Sequence, residues 1–182
     1  MDHGQLREGL KRLHSYVQRL DFQSTFFEEG PEVPLDSLVI PLHVGEELSM
    51  DVSCNFIDVQ GTGPLLQFYG QIQLDELVEE ADPPVSKERI LDFANRLNFI
   101  LPVGQLLYFT DEGDGDAQQI LGMRYAFPTG LQNDAELKKC VEILMLLMQS
   151  YELLCSCLIL FLDGDSMDSI LNTIHGLLNP ET

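Results

Sequence analysis

Tryptophan is absent from this 182-residue chain and bases are scarce: ten Lys and Arg stand against thirty Asp and Glu, a formal net charge of −20. A surface this negative repels a phosphate backbone and argues against nucleic acid as a direct partner. There is no Cys-x-x-Cys pair and no Gly-x-Ser-x-Gly elbow, and the glycines at 61–63 lack the lysine and following helix of a phosphate loop. Only four cysteines occur, Cys54, Cys140, Cys155 and Cys157, all in apolar stretches. Residues two apart on a helix point about 200° from each other, so Cys155 and Cys157 cannot share a tetrahedral ion. Reduced core thiols in a cytoplasmic protein are expected. His3, His14, His43 and His175 show no ligand spacing, and His14 and His175 are expected to face solvent. The acidic run 111–116 fails as a calcium loop, because its sixth and twelfth positions are Asp116 and Gly122, and is read as a polar hairpin loop. No catalytic, metal or cofactor residue is therefore expected.

Long uninterrupted apolar runs are missing too. Residues 140–162 are very apolar, but Glu142 and Glu152 would each cost roughly 2.5–3.5 kcal/mol at mid-bilayer. The cleaner run 153–162 falls well short of the ~20 residues a span needs. The N-terminal residues are polar rather than an apolar signal run. These features predict no membrane contact.

What is present is periodicity. Lys138, Glu142, Gln149, Glu152, Ser156 and Asp163 fall on one narrow stripe of a helix, opposite Cys140, Leu144, Leu147, Tyr151, Leu154, Leu158 and Phe161. Leu6, Leu10, Leu13, Val17 and Leu20 form a second stripe at 5–20. Residues 1–20 carry +2 while the remaining 162 carry −22, so the first helix is expected to lie on an acidic surface of its own fold or of a twin subunit. Strict alternation marks a strand at 48–57, and weaker alternation marks strands at 38–44, 65–74, 105–110 and 119–127. Pro41 belongs at an edge or bulge. Ser86 caps a helix at 87–99, and a short last helix covers 166–178. The predicted order is α-β-β-β-α-β-β-α-α. This is a single α+β domain over 1–182, with one antiparallel sheet of about five strands and helices on one face.

The segment 94–127 reads ANRLNFILPVGQLLYF, then ILGMRYAF, followed by Pro128. Asn95, Leu97, Asn98, Leu101, Pro102, Gly104, Arg124, Tyr125 and Pro128 resemble the helix end, Leu-Pro-x-Gly turn and hairpin of the YbjN family, whose fold is that of the type III secretion chaperones. The element order over 5–162 resembles it as well, while the helix at 166–178 is extra. The resemblance implies a bacterial, non-enzymatic, often dimeric protein that handles other polypeptides, or a sensory or stress-response accessory protein without a client.

Four apolar-faced helices and a one-sided sheet leave surplus apolar surface, which implies a homodimer, a protein or peptide partner, or both. Leu65, Tyr69, Tyr125 and Phe127 are the expected sheet-surface contacts, and Leu146, Met148 and Leu153 the expected interface residues. The bound segment would be apolar or basic.

Overall fold

In the computed structural model, which describes residues 2–44, 48–59, 63–79, 81, 84–111 and 118–178, six strands form one antiparallel sheet. The strands are β1 (Thr25–Phe27), β2 (Ser37–Val44), β3 (Leu48–Val59), β4 (Gly63–Gln73), β5 (Gln105–Asp111) and β6 (Gln118–Pro128). The helices are α1 (His3–Gln18), α2 (Asp75–Glu79), α3 (Lys87–Leu97), α4 (Asp134–Leu162) and α5 (Met167–Leu178). The α+β class holds, with two differences. The first is β1: it is only three residues long, paired Phe26 to Leu38, and too short to show a period. The second is α2, a single helical turn in the stretch read as an acidic connection. The strand order, which the element order along the chain leaves open, is β1-β2-β3-β4-β6-β5, in which β6 inserts beside β4 and leaves β5 at the edge. The acidic run after Asp111 and the side chains of His175 and Leu177 lie outside the described residues.

Local chemistry sets the helix starts. Asp2 accepts from the Gln5 backbone N–H, and the Gln5 side chain accepts from Asp2 N–H, a reciprocal box that opens α1. Asn133 caps α4 through Glu136 N–H. The Glu136 carboxylate in turn accepts from the N–H groups of Gln132 and Gly130, the Thr129 hydroxyl and the Asn133 amide. Led by Gln132, these donors hold Glu136 below the usual glutamate range despite some desolvation. Pro41 stands past the end of β1 in the register, where β2 is locally an edge, as the missing N–H demands.

The inner face of the sheet carries Leu38, Ile40, Met50, Val52, Leu66, Phe68, Leu121 and Met123, and α1, α3, α4 and α5 pack over it in one core cluster. α4 lies at its centre. It buries Cys140, Leu144, Leu147, Tyr151, Leu154, Leu158 and Phe161, the apolar row read from the sequence. This helix is long and apolar enough to cross a membrane by length and composition, and half of that window is buried inside the protein. The basic residues of α1 pair within the chain: Arg7 with Asp36, Lys11 with Glu28 and Arg12 with Asp134. The first helix thus uses its positive charge on its own fold.

Candidate functional site

Register decides which side chains share a face. Leu66 pairs with Phe127 and Phe68 with Tyr125, so odd positions of β6 share the inner face with even positions of β4. Leu65 and Tyr69 therefore lie on the outer face, whereas Tyr125 and Phe127 face the helices. Phe127 is buried, stacked on Phe68 with ring centroids 6.2 Å apart, and Tyr125 packs beside it at 6.0 Å. The four expected sheet contacts do not form one surface, and Phe127 is a core residue. The error has a simple cause: alternation gives two faces to a strand, but only the pairing of β6 with β4 says which is which.

The outer face is left open. Its apolar members, including Val39, Ile57, Leu65, Tyr69, Leu107, Phe109 and Ile120, are all absent from the core cluster and from the residues packed against it. Tyr69, Leu107, Phe109 and Ile120 converge where β4, β6 and β5 meet. A Cβ added at Gly122 would sit 3.1 Å from the Tyr69 ring and 3.5 Å from Phe109, so the missing side chain is the seat for both rings. Beneath them Ile120 is buried, although it lies outside the core. The Tyr69 hydroxyl donates to Gln71 Oε1. Burial and the charge of Asp111 raise the Tyr69 pKa.

Arg124 lies on the same face, between Gln105 of β5 and Tyr69 of β4. Among the described residues it is the one base of ten with no ion pair, hydrogen bond or ring contact. Arg7, Lys11, Arg12, Arg96 and Lys138 have carboxylate partners, and Arg19, Lys87, Arg89 and Lys139 lie over aromatic rings. In a chain with three acids per base, an unpaired guanidinium stands out.

Beside Arg124 opens a recess of about 520 Å³ lined by the 101–105 turn, Arg124, Tyr125 and Ala126. The turn is held from two sides. The Asn98 amide donates to Leu106 O and accepts from Leu106 N, standing in for a strand neighbour at the β5 edge. The buried Ser150 hydroxyl of α4 donates to Val103 O and accepts from Val103 N. Gly104 sits at φ +89°, where a side chain would be strained. Leu101, Pro102, Gly104, Arg124 and Tyr125 thus border one recess, with Asn98 bracing its turn.

The solvent stripe of α4 runs through Lys138, Glu142, Met145, Gln149, Glu152, Ser156, Ile159 and Asp163, all exposed. The sequence pattern identified its polar members and missed Met145 and Ile159, which are 47% and 49% exposed. Of the expected interface residues, Leu146 is exposed on the flank of this stripe, whereas Met148 and Leu153 are half-buried against the core.

Two clusters were invisible in the sequence. His3, Glu29 and Asp36 bring potential ligand atoms within 4.8 Å of one another. Asp36, however, is already committed: Oδ2 accepts from Arg7 Nε and Oδ1 from Glu29 N, each at 2.9 Å. Burial pushes the Asp36 carboxyl up, but those donors outweigh it and hold the pKa below the ordinary value. The cluster is an ion-pair knot that ties α1 to the segment before β2. His14, expected in solvent, is half-buried with Nδ1 3.0 Å from Ser24 Oγ. No carboxylate bonds that imidazole among the described residues, so the pair lacks the third member that orients a base. All four thiols are buried: desolvation pushes Cys140 up to about 12 and Cys155 and Cys157 up to about 11, and raises Cys54 as well. They are core groups, not nucleophiles.

The fold and surfaces describe a one-sided antiparallel sheet backed by helices, with an open outer face and an acidic outer stripe on its long helix. No family model matches this chain, and no curated protein matches it.

Proposed function

We propose that the protein works by binding, not catalysis, and that the outer stripe of α4 holds a basic, amphipathic segment of another polypeptide in a chaperone-like manner. One observation carries the reading: Met145, Leu146 and Ile159 expose large apolar groups on a helix face that no described element covers, and Glu142, Glu152 and Asp163 stand among them. Apolar knobs set among carboxylates suit a partner helix with apolar anchors and lysine or arginine beside them. The net charge of −20 strengthens the attraction and keeps the bare surface soluble. The resemblance to the YbjN family favours the same role.

The test is fluorescence anisotropy with a labelled synthetic peptide bearing leucines at helical spacing on one face and lysines on the other. Binding is expected to weaken with salt, to fail for a glutamate-for-lysine version, and to be lost in a Met145→Ser/Ile159→Ser variant. No binding, or equal binding of both peptides, overturns the reading and leaves a client-free regulatory protein as the alternative.

A further inference from the structure

The open sheet face is a different surface from the α4 stripe, and its charges are arranged differently. Arg124 is its free base. Asp111, the last residue of β5, is exposed and makes no ion pair among the described residues. In the register Arg124 lies opposite Gln105, six residues along β5 from Asp111, a separation of roughly 20 Å. Between these ends β5 and β6 are apolar on this face, with Leu107, Phe109, Gly122 and Ile120 in the middle rows, and β4 adds Gln71 and Gln73 to the same rows.

A positive end, an apolar middle and a negative end make a surface complementary to itself. A two-fold axis in the plane of the face, midway between Arg124 and Asp111, exchanges the two positions and turns the face onto its copy. The axis passes between the rows of Leu107–Gly122 and Phe109–Ile120, so Leu107 and Gly122 of one copy pack on Phe109 and Ile120 of the other. Because Arg124 and Asp111 sit on neighbouring strands about 4.8 Å apart, the line joining them tilts slightly from the strand direction. The exchange then sets the two sheets crossing at about 30° to antiparallel, the angle at which aligned sheets pack.

The α4 stripe lacks this property: antiparallel pairing of two copies centred between Met145 and Ile159 would bring Glu152 against its own counterpart. The other titratable groups on the outer face among the described residues are Tyr69, beside Arg124 on β4, and Asp51 and His43, which lie on β3 and β2.

We propose that the outer face of the sheet is a homodimer interface in which Arg124 of each copy pairs with Asp111 of the other. The rows shared by both copies span about 24 Å across five strands and about 20 Å along them, roughly 500 Å² on each side. That is near the lower limit for a specific interface, so the pair forms in the micromolar range and depends on its two charge contacts.

Analytical ultracentrifugation of the full chain from one to a few hundred micromolar tests this. The wild type is expected to approach twice the 20.5 kDa of one chain. Arg124→Asp and Asp111→Arg alone each raise the dissociation constant about tenfold or more. The double variant Arg124→Asp/Asp111→Arg restores the dimer, and Phe109→Lys, beside the axis, abolishes it. All of these positions are exposed, and unchanged circular dichroism confirms that the variants fold. A wild type that stays at the mass of one chain, single charge variants that dimerise as well as the wild type, or a double variant without recovery each overturns the proposal. Peptide binding on α4 is scored separately, so either surface can fail without the other.

Discussion

Ser150→Ala probes how the recess is built. Ser150 sits mid-helix with no exposed surface, and its hydroxyl bridges both backbone groups of Val103, at 3.2 Å from N and 2.8 Å to O. Alanine removes both hydrogen bonds, each worth about 1 kcal/mol net. Val103 is only half-buried, so water reaches part of what is uncovered and the further cost of orphaned groups stays near 1 kcal/mol. Alanine's better helix propensity returns about 0.5 kcal/mol. The expected loss is about 1.5–3 kcal/mol, read by urea denaturation, or about 3–12 °C in Tm for a chain of this size. Ser156→Ala is the control: its hydroxyl donates to Glu152 O within the same helix and is exposed, so its effect should stay within about 0.5 kcal/mol. The amide of Val103 should also exchange with deuterium faster in Ser150→Ala. A loss below about 0.5 kcal/mol with unchanged exchange would refute the bridging role.

Three further outcomes are expected. Asp36→Asn lowers stability at neutral pH. The wild-type advantage is fully present above the unfolded aspartate pKa of about 3.9 and is lost as pH falls through the lower folded value, so the two proteins converge in strong acid; a constant gap across an acid titration contradicts this. Gly70→Ala places a Cβ 2.5 Å from the buried Met50 sulfur and costs about 1–3 kcal/mol in denaturant melts, with partial recovery when Met50 is shortened to valine; an additive double variant would show that the two sites do not touch. At pH 8 none of the four thiols reacts quickly with a disulfide reagent while the chain is folded, and all four react in denaturant; a fast thiol in the folded protein would contradict their burial.

Much of the architecture was written in short-range patterns. The α4 stripe, the alternation of β3 and the cap at Ser86 depend on residues a few positions apart, and these are what a linear reading registers. What it could not register were relations across the sheet. Tyr125 and Phe127 look like surface residues until β6 is placed beside β4, whose register turns them inward. β1 was overlooked because its three residues become a strand only through pairing with Leu38. The isolation of Arg124 is a property of nine other side chains, each of which had to be traced to a partner. Ser150 and Asn98 looked like ordinary polar residues of helices, and their work is done on backbone groups of other segments.

The insertion of β6 between β4 and β5 has a consequence for synthesis. As the chain leaves the ribosome, β4 appears long before β6, the strand that must lie beside it, while β5 directly precedes β6, and Leu65 waits for Pro128 to complete its row. Until then β4 presents a naked hydrogen-bonding edge and the aromatic seat at Gly122 does not exist, so the newborn chain passes through a stage in which premature pairing of β4 with a neighbouring nascent copy competes with closure of its own sheet.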